Sequence, residues 1–183
     1  MIIQETSLQN LFVIEKAVLE DNRGYFERMY CNETLQGLGI KIDIKQINHS
    51  YTKRTGVIRG LHFQKPPFAE KKIITCIKGE VLDVVVDVRY NSPTFLKYFS
   101  IKLSAENHKS LLVPEGFAHG FQTLVNDCEL IYFHTANYNK DAEGALNALD
   151  PSIGIEWALP LSERSERDNL HPYIDSTFKG IQI

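Results

Sequence analysis

Residues 80–88 read EVLDVVVDV, and this stretch decides the fold class. Five of its nine residues are valine, which favours extended backbone because its branched side chain packs well on a pleated sheet. Segments of the same character recur at 72–77, 98–103 and 129–134, separated by turn sequences such as KGE, YNSPT and VND. Strands at this regular spacing predict an all-β sandwich or barrel.

Helical signals are weak and peripheral. They fall at about 32–38, where Gly37 and Gly39 act as stops, and at about 162–169. The chain has no βαβ alternation and no G-x-G-x-x-G motif, which argues against a nucleotide-cofactor Rossmann domain. It also has no internal repeat and no linker-like segment, so we expect one domain spanning 1–183.

Composition narrows the class of partner. A formal charge of −3 without clustered Lys and Arg argues against nucleic-acid and anionic-membrane partners. Three cysteines without C-x-x-C spacing indicate a reducing compartment rather than a disulfide framework. Gln4 and Glu5 precede any long apolar run, so no signal peptide or membrane span is predicted, and we expect a cytoplasmic protein.

Polar residues interrupt the predicted strands. Alternation places Lys72 on one face with Ile74, and Tyr132 on one face with Leu130 and His134. Each has an ordinary structural explanation when taken alone. His62 fits a hydrogen-bonded core histidine, Lys72 a lysine that snorkels at a strand end, and Tyr132 a packed ring whose hydroxyl binds a carbonyl. Together they would impose several burial costs on one small barrel, which favours a ligand-binding interior.

Residues 113–121, VPEGFAHGF, contain a P-x-G-x-x-H pattern ending at His119. This pattern resembles the second motif of cupins, which are double-stranded β-helix (jelly roll) barrels. The first cupin motif usually presents H-x-H to a metal, and here the pair is His62 and Gln64. Loss of one imidazole removes a preferred transition-metal ligand, so we predict a metal-free barrel. A metal-dependent cupin dioxygenase or isomerase is disfavoured for the same reason.

A longer series of blocks resembles the dTDP-4-dehydrorhamnose 3,5-epimerase family, in order from about residue 12 to 172. The resemblance implies a homodimeric cupin with short peripheral helices, active in dTDP-rhamnose biosynthesis. It implies cofactor-free proton transfer at C3 and C5 of a nucleotide-linked 4-keto-6-deoxyhexose. The blocks are DNRG (21–24), QINHS (46–50), GVIRGLHFQ (56–64), DVVVDVRYNSPTF (83–95), LSAENHKSLLVPEGFAHGFQTL (103–124), and Asp150-Pro151 followed by IEW (155–157).

The resemblance assigns a role to each catalytic residue. A proton next to the C4 ketone is acidic only if the enolate is stabilised, and inversion needs a base and an acid on opposite ring faces. By resemblance His62 is the base, Asp168 orients it, Tyr132 is the acid, and Lys72 stabilises the enolate oxygen.

The diphosphate needs cations, and the forked guanidinium donors of Arg59 and Arg23 suit its oxygens. Because strict alternation would turn Arg59 away from His62, we predict a bulge or kink at Gly60 that brings both to one barrel mouth. Other positions match those that stack on the nucleobase or line the sugar and phosphate pocket: Tyr138 for stacking, and Gln46, Asn48 and His119 for lining.

The chain departs from the family pattern at three positions. Arg28 replaces a glutamate that usually accepts a hydrogen bond from the nucleobase, Leu19 replaces a common phenylalanine, and Glu70 replaces the usual glutamine. Arg28 belongs to the predicted binding residues, but a guanidinium cannot accept a hydrogen bond. A GDP or CDP sugar is therefore an alternative substrate. Epimerisation at C3 only or at C5 only is also compatible with these residues, and so is a non-catalytic cupin that binds a sugar nucleotide.

The apolar stretch at 11–19, LFVIEKAVL, bears on assembly. We predict that it joins an intersubunit sheet in a homodimer and that Arg23 reaches the neighbour's site.

Overall fold

The computed structural model describes residues 1–183 and is built almost entirely of β-strands. Two short helices, α1 (Asn32–Gly37) and α2 (Glu166–Asn169), lie outside the sheets. The strands are β1 (Ile2–Glu5), β2 (Phe12–Glu15), β3 (Val18–Asp21), β4 (Gly24–Glu27), β5 (Gln46–Thr52), β6 (Ile58–Gln64), β7 (Lys72–Lys78), β8 (Glu80–Asp87), β9 (Tyr98–Ser104), β10 (Lys109–Val113), β11 (Phe117–Thr123), β12 (Cys128–His134) and β13 (Glu143–Ala145).

Two large antiparallel sheets form the body of the molecule. One has the order β1-β2-β10-β7-β12-β5 and the other the order β13-β6-β11-β8-β9. From β5 onward the chain changes sheet at every step except between β8 and β9, which form a hairpin in one sheet. This alternation is the topology of a jelly roll, so the predicted cupin-type double-stranded β-helix is confirmed.

The core lies between the sheets, and β8 shows why its sequence is continuously apolar. Val81 and Val85 pack in the main core with side chains of the six-stranded sheet, such as Ile74 and Leu130. The opposite face of β8 is covered as well, because Val86 belongs to a second cluster that includes C-terminal residues. A strand buried on both faces has no solvent side on which alternation would show.

The helices follow the prediction with one correction. The first ends near Gly37 as predicted. The sequence pattern places the start of the second at about 162, but this helix begins at Glu166. Ser165 is its N-cap, and the Ser165 hydroxyl accepts a hydrogen bond from the Asp168 amide. An N-cap residue has extended backbone, so the helix cannot include it.

Strands β3 and β4 form a separate hairpin that belongs to neither large sheet. Its apolar side chains are exposed: Leu19 at 69%, Tyr25 at 56% and Phe26 at 66%. Residues 12–15 of the stretch predicted to join an intersubunit sheet have no free strand edge of their own for a neighbour. Phe12–Glu15 is already paired on both sides within its own chain, by β1 and β10. Val18 and Leu19 lie instead in the hairpin, whose strands pair only with each other.

In this structure every helix falls short of the length and apolar character that spanning a membrane would require.

Candidate active site

A pocket of about 550 Å³ opens between the two sheets. Strands β5, β7 and β12 line it from one sheet, β6 and β11 from the other, and α2 adds one side chain. Its polar lining includes six residues predicted from the sequence, which are Asn48, Arg59, His62, Lys72, His119 and Tyr132. Four further polar residues had no predicted site role: His49, Ser50, His134 and Arg167.

An irregularity in β6 brings His62 and Arg59 into the same pocket. His62 pairs with His119 and Arg59 with Phe121, so β6 spans three residues where β11 spans two. One extra residue in a strand is a bulge, and it reverses the alternation beyond it. The bulge predicted at Gly60 is therefore confirmed.

Gly60 is the residue that makes this irregularity possible. Its φ is +114°, a conformation that L side chains rarely adopt. A Cβ there would also lie 2.6 Å from both the Gly120 Cα and the His119 carbonyl oxygen. Glycine is thus required both for the backbone angle and for the close approach of β11.

His62 is held by Asp168. The His62 Nε2 lies 2.7 Å from the Asp168 Oδ1. Arg167 Nη2 also lies 3.2 Å from Nε2, but a guanidinium only donates, and a bare nitrogen facing a carboxylate at 2.7 Å would be repelled. Nε2 therefore carries the proton and donates to Asp168. The other ring nitrogen, Nδ1, makes no hydrogen bond within the chain and is free to accept a proton.

Asp168 is suited to remain ionised. It is 2% exposed, and the Gly60 amide donates to its Oδ2 at 3.2 Å. Burial by itself would raise the pKa of Asp168, but the hydrogen bond and electrostatic attraction from His62, with further hydrogen bonds from Gly60 and Ser165, lower it to about 2. The carboxylate can therefore fix the imidazole tautomer and stabilise the charge that His62 gains.

Tyr132 stands on the opposite wall, because β12 belongs to the sheet that faces β6. Its hydroxyl lies 3.1 Å from the Ser50 Oγ, and its ring meets the His119 ring edge to face at 6.1 Å. Burial raises the pKa of the Tyr132 phenol well above its usual range. The phenol therefore stays protonated at neutral pH, as a proton donor must.

Lys72 shares a carboxylate with a histidine. Its Nζ lies 3.3 Å from the Glu70 Oε1, while the Glu70 Oε2 lies 2.8 Å from the His134 Nδ1. Glu70 is buried. Burial tends to raise the pKa of Glu70, but the bond from His134 and the charge of Lys72 lower it. The carboxylate is thus ionised beside the ammonium, and the sequence showed Glu70 only as a departure from a family pattern.

His119 is hydrogen-bonded to Asp83, which is fully buried. The His119 Nε2 lies 2.8 Å from the Asp83 Oδ2, and the Asp83 Oδ1 has no partner. Burial raises the pKa of Asp83 despite the nearby histidine. Asp83 was not predicted as a site residue, although an aspartate inside the valine-rich segment 80–88 was the available signal.

Not every predicted site residue lines this pocket. Arg23 is at the tip of the β3–β4 hairpin, 85% exposed and paired with Asp21 at 2.6 Å, and Arg28 is exposed beyond the same hairpin. The hairpin lies outside both sheets, so neither arginine belongs to the pocket of its own chain. Tyr138 is 55% exposed, and its amide donates to Gln46, which in turn bonds to Asn48 on the pocket wall.

One cluster has metal-ligand geometry. The ligand atoms of His62, Asp168 and His171 lie within 4.8 Å of one another. The Arg167 guanidinium lies 3.9 Å from the Asp168 Oδ1, however, and its positive charge opposes a cation there. Gln64, at the position of the second cupin ligand, uses its amide to bind the backbone of Phe68, Asn137 and Asn139.

The fold and the pocket together define a cupin-type jelly roll with a carboxylate-bound imidazole on one wall and a protonated phenol on the facing wall. The comparisons with known proteins agree. The family model for dTDP-4-dehydrorhamnose 3,5-epimerase matches residues 5–176, and the chain belongs to that family.

Individual relatives match over nearly the whole chain. The dTDP-4-dehydrorhamnose 3,5-epimerase of Salmonella typhimurium is 42% identical over 177 residues, covering 96% of each chain. The structure of that enzyme from Bacillus anthracis with TDP and PPi bound has a TM-score of 0.91, is 38% identical and covers 94% of this chain and 98% of its own. A Legionella pneumophila dTDP-6-deoxy-D-glucose-3,5-epimerase in complex with dTDP-4-keto-L-rhamnose also has a TM-score of 0.91, at 33% identity, covering 99% and 98%.

Proposed function

We propose that this protein is an isomerase that epimerises C3 and C5 of a dTDP-linked 4-keto-6-deoxyhexose, giving dTDP-4-dehydrorhamnose. The observation that carries the proposal is the pairing of a free His62 Nδ1, on an imidazole anchored to Asp168, with the protonated Tyr132 phenol on the facing wall. The family membership names the substrate class, since the relatives are named for this reaction and the Legionella pneumophila structure holds a dTDP-4-keto sugar.

The reaction begins with abstraction of a proton from carbon. His62 Nδ1 takes the proton next to the C4 ketone, and the electron pair moves into an enolate whose charge resides on the C4 oxygen. Asp168 stabilises the resulting imidazolium through the bond to Nε2. Lys72, which lines the same pocket, places a positive charge at the enolate oxygen.

The configuration inverts when the proton returns from the other side. Tyr132 gives its phenolic proton to the carbon on the face opposite His62, and the C4 ketone re-forms. His62 then releases its proton and Tyr132 regains one before the second centre reacts. No electrons leave the sugar, so the steps need no redox partner.

The nucleotide end of the substrate requires a different set of residues. Arg59 lines the pocket and is the proposed contact to the diphosphate. The exposed ring of Tyr138 is available for stacking on the nucleobase, and Gln46, Asn48 and His119 are the proposed sugar and phosphate contacts. Arg28 is proposed to face the nucleobase from the neighbouring subunit.

We propose further that the whole chain, 1–183, forms one domain and works as a homodimer. The hairpin, which joins neither large sheet and exposes three apolar side chains, supports an interface, and it carries Arg23 away from its own pocket. The proposed compartment is the cytoplasm, and the three free cysteines support a reducing environment.

The deciding experiment is incubation with dTDP-4-keto-6-deoxyglucose in deuterated water, followed by NMR of the sugar. We expect deuterium at both C3 and C5 and an inverted product. Label at one carbon alone would show a mono-epimerase, and tight binding without any label would show a non-catalytic cupin. Running the GDP and CDP sugars in parallel tests the nucleotide.

A further inference from the structure

A chain of hydrogen bonds connects the proposed nucleotide end of the pocket with Lys72, and its direction can be read from one fixed donor. The backbone amide of Tyr138 donates to the Gln46 Oε1 at 3.0 Å. A backbone N–H can only donate, so the Gln46 oxygen is the acceptor and its Nε2 is turned the other way. That Nε2 donates to the Asn48 Oδ1 at 2.9 Å.

The same logic fixes the tautomer of His134. Because the Asn48 oxygen accepts from Gln46, its Nδ2 is the group that faces the His134 Nε2, at 3.3 Å. An amide NH₂ only donates, so Nε2 is the bare nitrogen and Nδ1 carries the hydrogen. Nδ1 then donates to the Glu70 Oε2 at 2.8 Å.

The chain ends on a shared carboxylate. Glu70 accepts from His134 with one oxygen and faces the Lys72 ammonium with the other, at 3.3 Å. All three side chains are nearly enclosed, with exposures of 7% for Glu70, 12% for His134 and 11% for Lys72. Hydrogen bonds to the Glu70 carboxylate in such a site hold their donors in a fixed direction, because little water competes for those donors.

We propose that Glu70 and His134 are positioning residues, which hold the Lys72 ammonium at the pocket wall through this one-way chain. The proposal rests on the proposed function, in which Lys72 stabilises the enolate oxygen. In addition, the orientation of Lys72 depends on the donor and acceptor direction of every hydrogen bond in the chain, back to the Tyr138 amide. The segment around Tyr138, which is proposed to contact the nucleobase, is therefore linked to the catalytic end of the pocket.

The first test needs no substrate. In protein labelled with ¹⁵N-histidine, long-range ¹H–¹⁵N spectra distinguish the two imidazole tautomers, and comparison with His134→Ala assigns the signal. We expect the Nδ1–H form for His134 at neutral pH. An Nε2–H form, or a doubly protonated ring, would overturn the one-way chain whether or not the protein is an epimerase.

The second test uses the donor and acceptor pattern itself. In Glu70→Gln the new NH₂ faces either the Nδ1–H of His134 or the Lys72 ammonium, so two donors meet. His134 can remove this conflict only by changing to the Nε2–H tautomer. Its Nε2–H would then face the NH₂ of Asn48, which is also a donor. We expect kcat to fall about 10- to 100-fold, since small displacements of a catalytic group have effects of this size, with KM changed less than about threefold. The His134 spectrum should shift to Nε2–H.

Removing the imidazole should relieve that conflict. In Glu70→Gln with His134→Ala, the glutamine oxygen still faces Lys72 and its NH₂ meets no opposing donor. We expect kcat at least about fivefold higher than in Glu70→Gln alone, a coupling that independent sites do not show. If the fold-loss of kcat in the double variant instead equals the product of the losses in the two single variants, the two residues act separately and the proposal is wrong.

The function and this inference fail in distinguishable ways. If His62→Ala retains solvent exchange, the proposed mechanism fails while the tautomer result stands. If His62→Ala is inactive but the Glu70→Gln kcat equals that of the parent, only the positioning role fails. Thermal unfolding of each variant, compared with the parent, separates loss of positioning from loss of fold.

Discussion

At the scale of single residues, the position of one proton determines which nitrogen of His62 can act as the proposed base. Asp168 accepts from the Nε2 of His62, which leaves Nδ1 without a hydrogen-bond partner in the chain. We expect His62→Ala to abolish deuterium incorporation at every carbon, because without a base no enolate forms. Asp168→Asn should keep the fold and reduce kcat about 10²- to 10⁴-fold, as loss of an orienting carboxylate does elsewhere. Solvent exchange near the parent rate in His62→Ala would show that another group is the base.

The low pKa of Asp168 has a consequence for stability. The folded value of about 2 lies below the value of about 3.9 for an unfolded aspartate. A group with a lowered pKa stabilises the fold in full above the unfolded value, and this stability is lost as the pH falls towards the folded value. We therefore expect the difference in free energy of unfolding between the parent and Asp168→Asn to shrink by about 2 to 3 kcal/mol between pH 5 and pH 2.

Urea unfolding at constant ionic strength measures this difference. A difference that stays constant from pH 5 to pH 2 would mean that the carboxylate is not selectively stabilised in the folded protein.

The role of Tyr132 can be separated from that of His62. Tyr132→Phe keeps the ring packing and removes only the hydroxyl, so substrate should still bind. His62 can then remove and return a proton on its own face, which exchanges with solvent but does not invert the carbon. We expect deuterium incorporation to continue while inverted product falls about 10²-fold or more. His62→Ala, which should show neither, is the control, and inversion at the parent rate in Tyr132→Phe would assign the acid elsewhere.

At the scale of elements, the β6 bulge determines which side chains share the pocket. Gly60→Ala adds a Cβ at 2.6 Å from two backbone atoms of β11 and strains a backbone with φ of +114°. We expect a loss of about 2 to 4 kcal/mol in the free energy of unfolding, because neither the angle nor the contact can be relieved by a side chain. The matched control is Gly37→Ala, where nothing lies within 4 Å and φ is unstrained. Equal stability of the two variants would show that β6 adapts.

The strands and the bulge could be predicted from the sequence because their causes are local. Valine runs, turn residues and the conflicting parity of Arg59 and His62 are all visible within a few positions. Asp83 and Glu70 could not be placed in this way. Their partners, His119 and His134, are 36 and 64 residues away in sequence. Sequence distance carries no information on which strands become neighbours, so these supports appear only once the sheets are assembled.

The start of α2 shows the same limit on a smaller scale. The polar segment 162–169 is compatible with a helix throughout, but the Ser165 hydroxyl binds the Asp168 amide and delays the first turn. This cap also helps to place Asp168 against His62. The position of the orienting carboxylate thus depends on a capping bond that the sequence pattern alone did not distinguish from a longer helix.

At the scale of the whole molecule, the exposed hairpin should hold a dimer together. Light scattering should give about twice the chain mass of 20.9 kDa at working concentration, since an exposed apolar surface of this kind commonly marks an interface. Leu19→Lys with Phe26→Lys should give a monomer, because both side chains are exposed in the isolated chain. Leu170→Lys is the control, since Leu170 is even more exposed, at 76%, but lies outside the hairpin.

The placement of Arg23 allows a stricter version of this test, based on complementation. Arg23 lies outside its own pocket, and in the proposed dimer we expect it to serve the partner's site. Arg23→Ala and His62→Ala should each be nearly inactive at low substrate concentration. If their subunits are mixed and exchanged, half of the dimers contain one of each. In such a dimer the Arg23→Ala subunit keeps its own His62 and receives Arg23 from its partner, so one of the two sites is complete. We expect recovery of about one quarter of the parent activity from random exchange in a two-fold dimer. If Arg23 instead acts within its own chain, no complete site can form and mixing restores nothing.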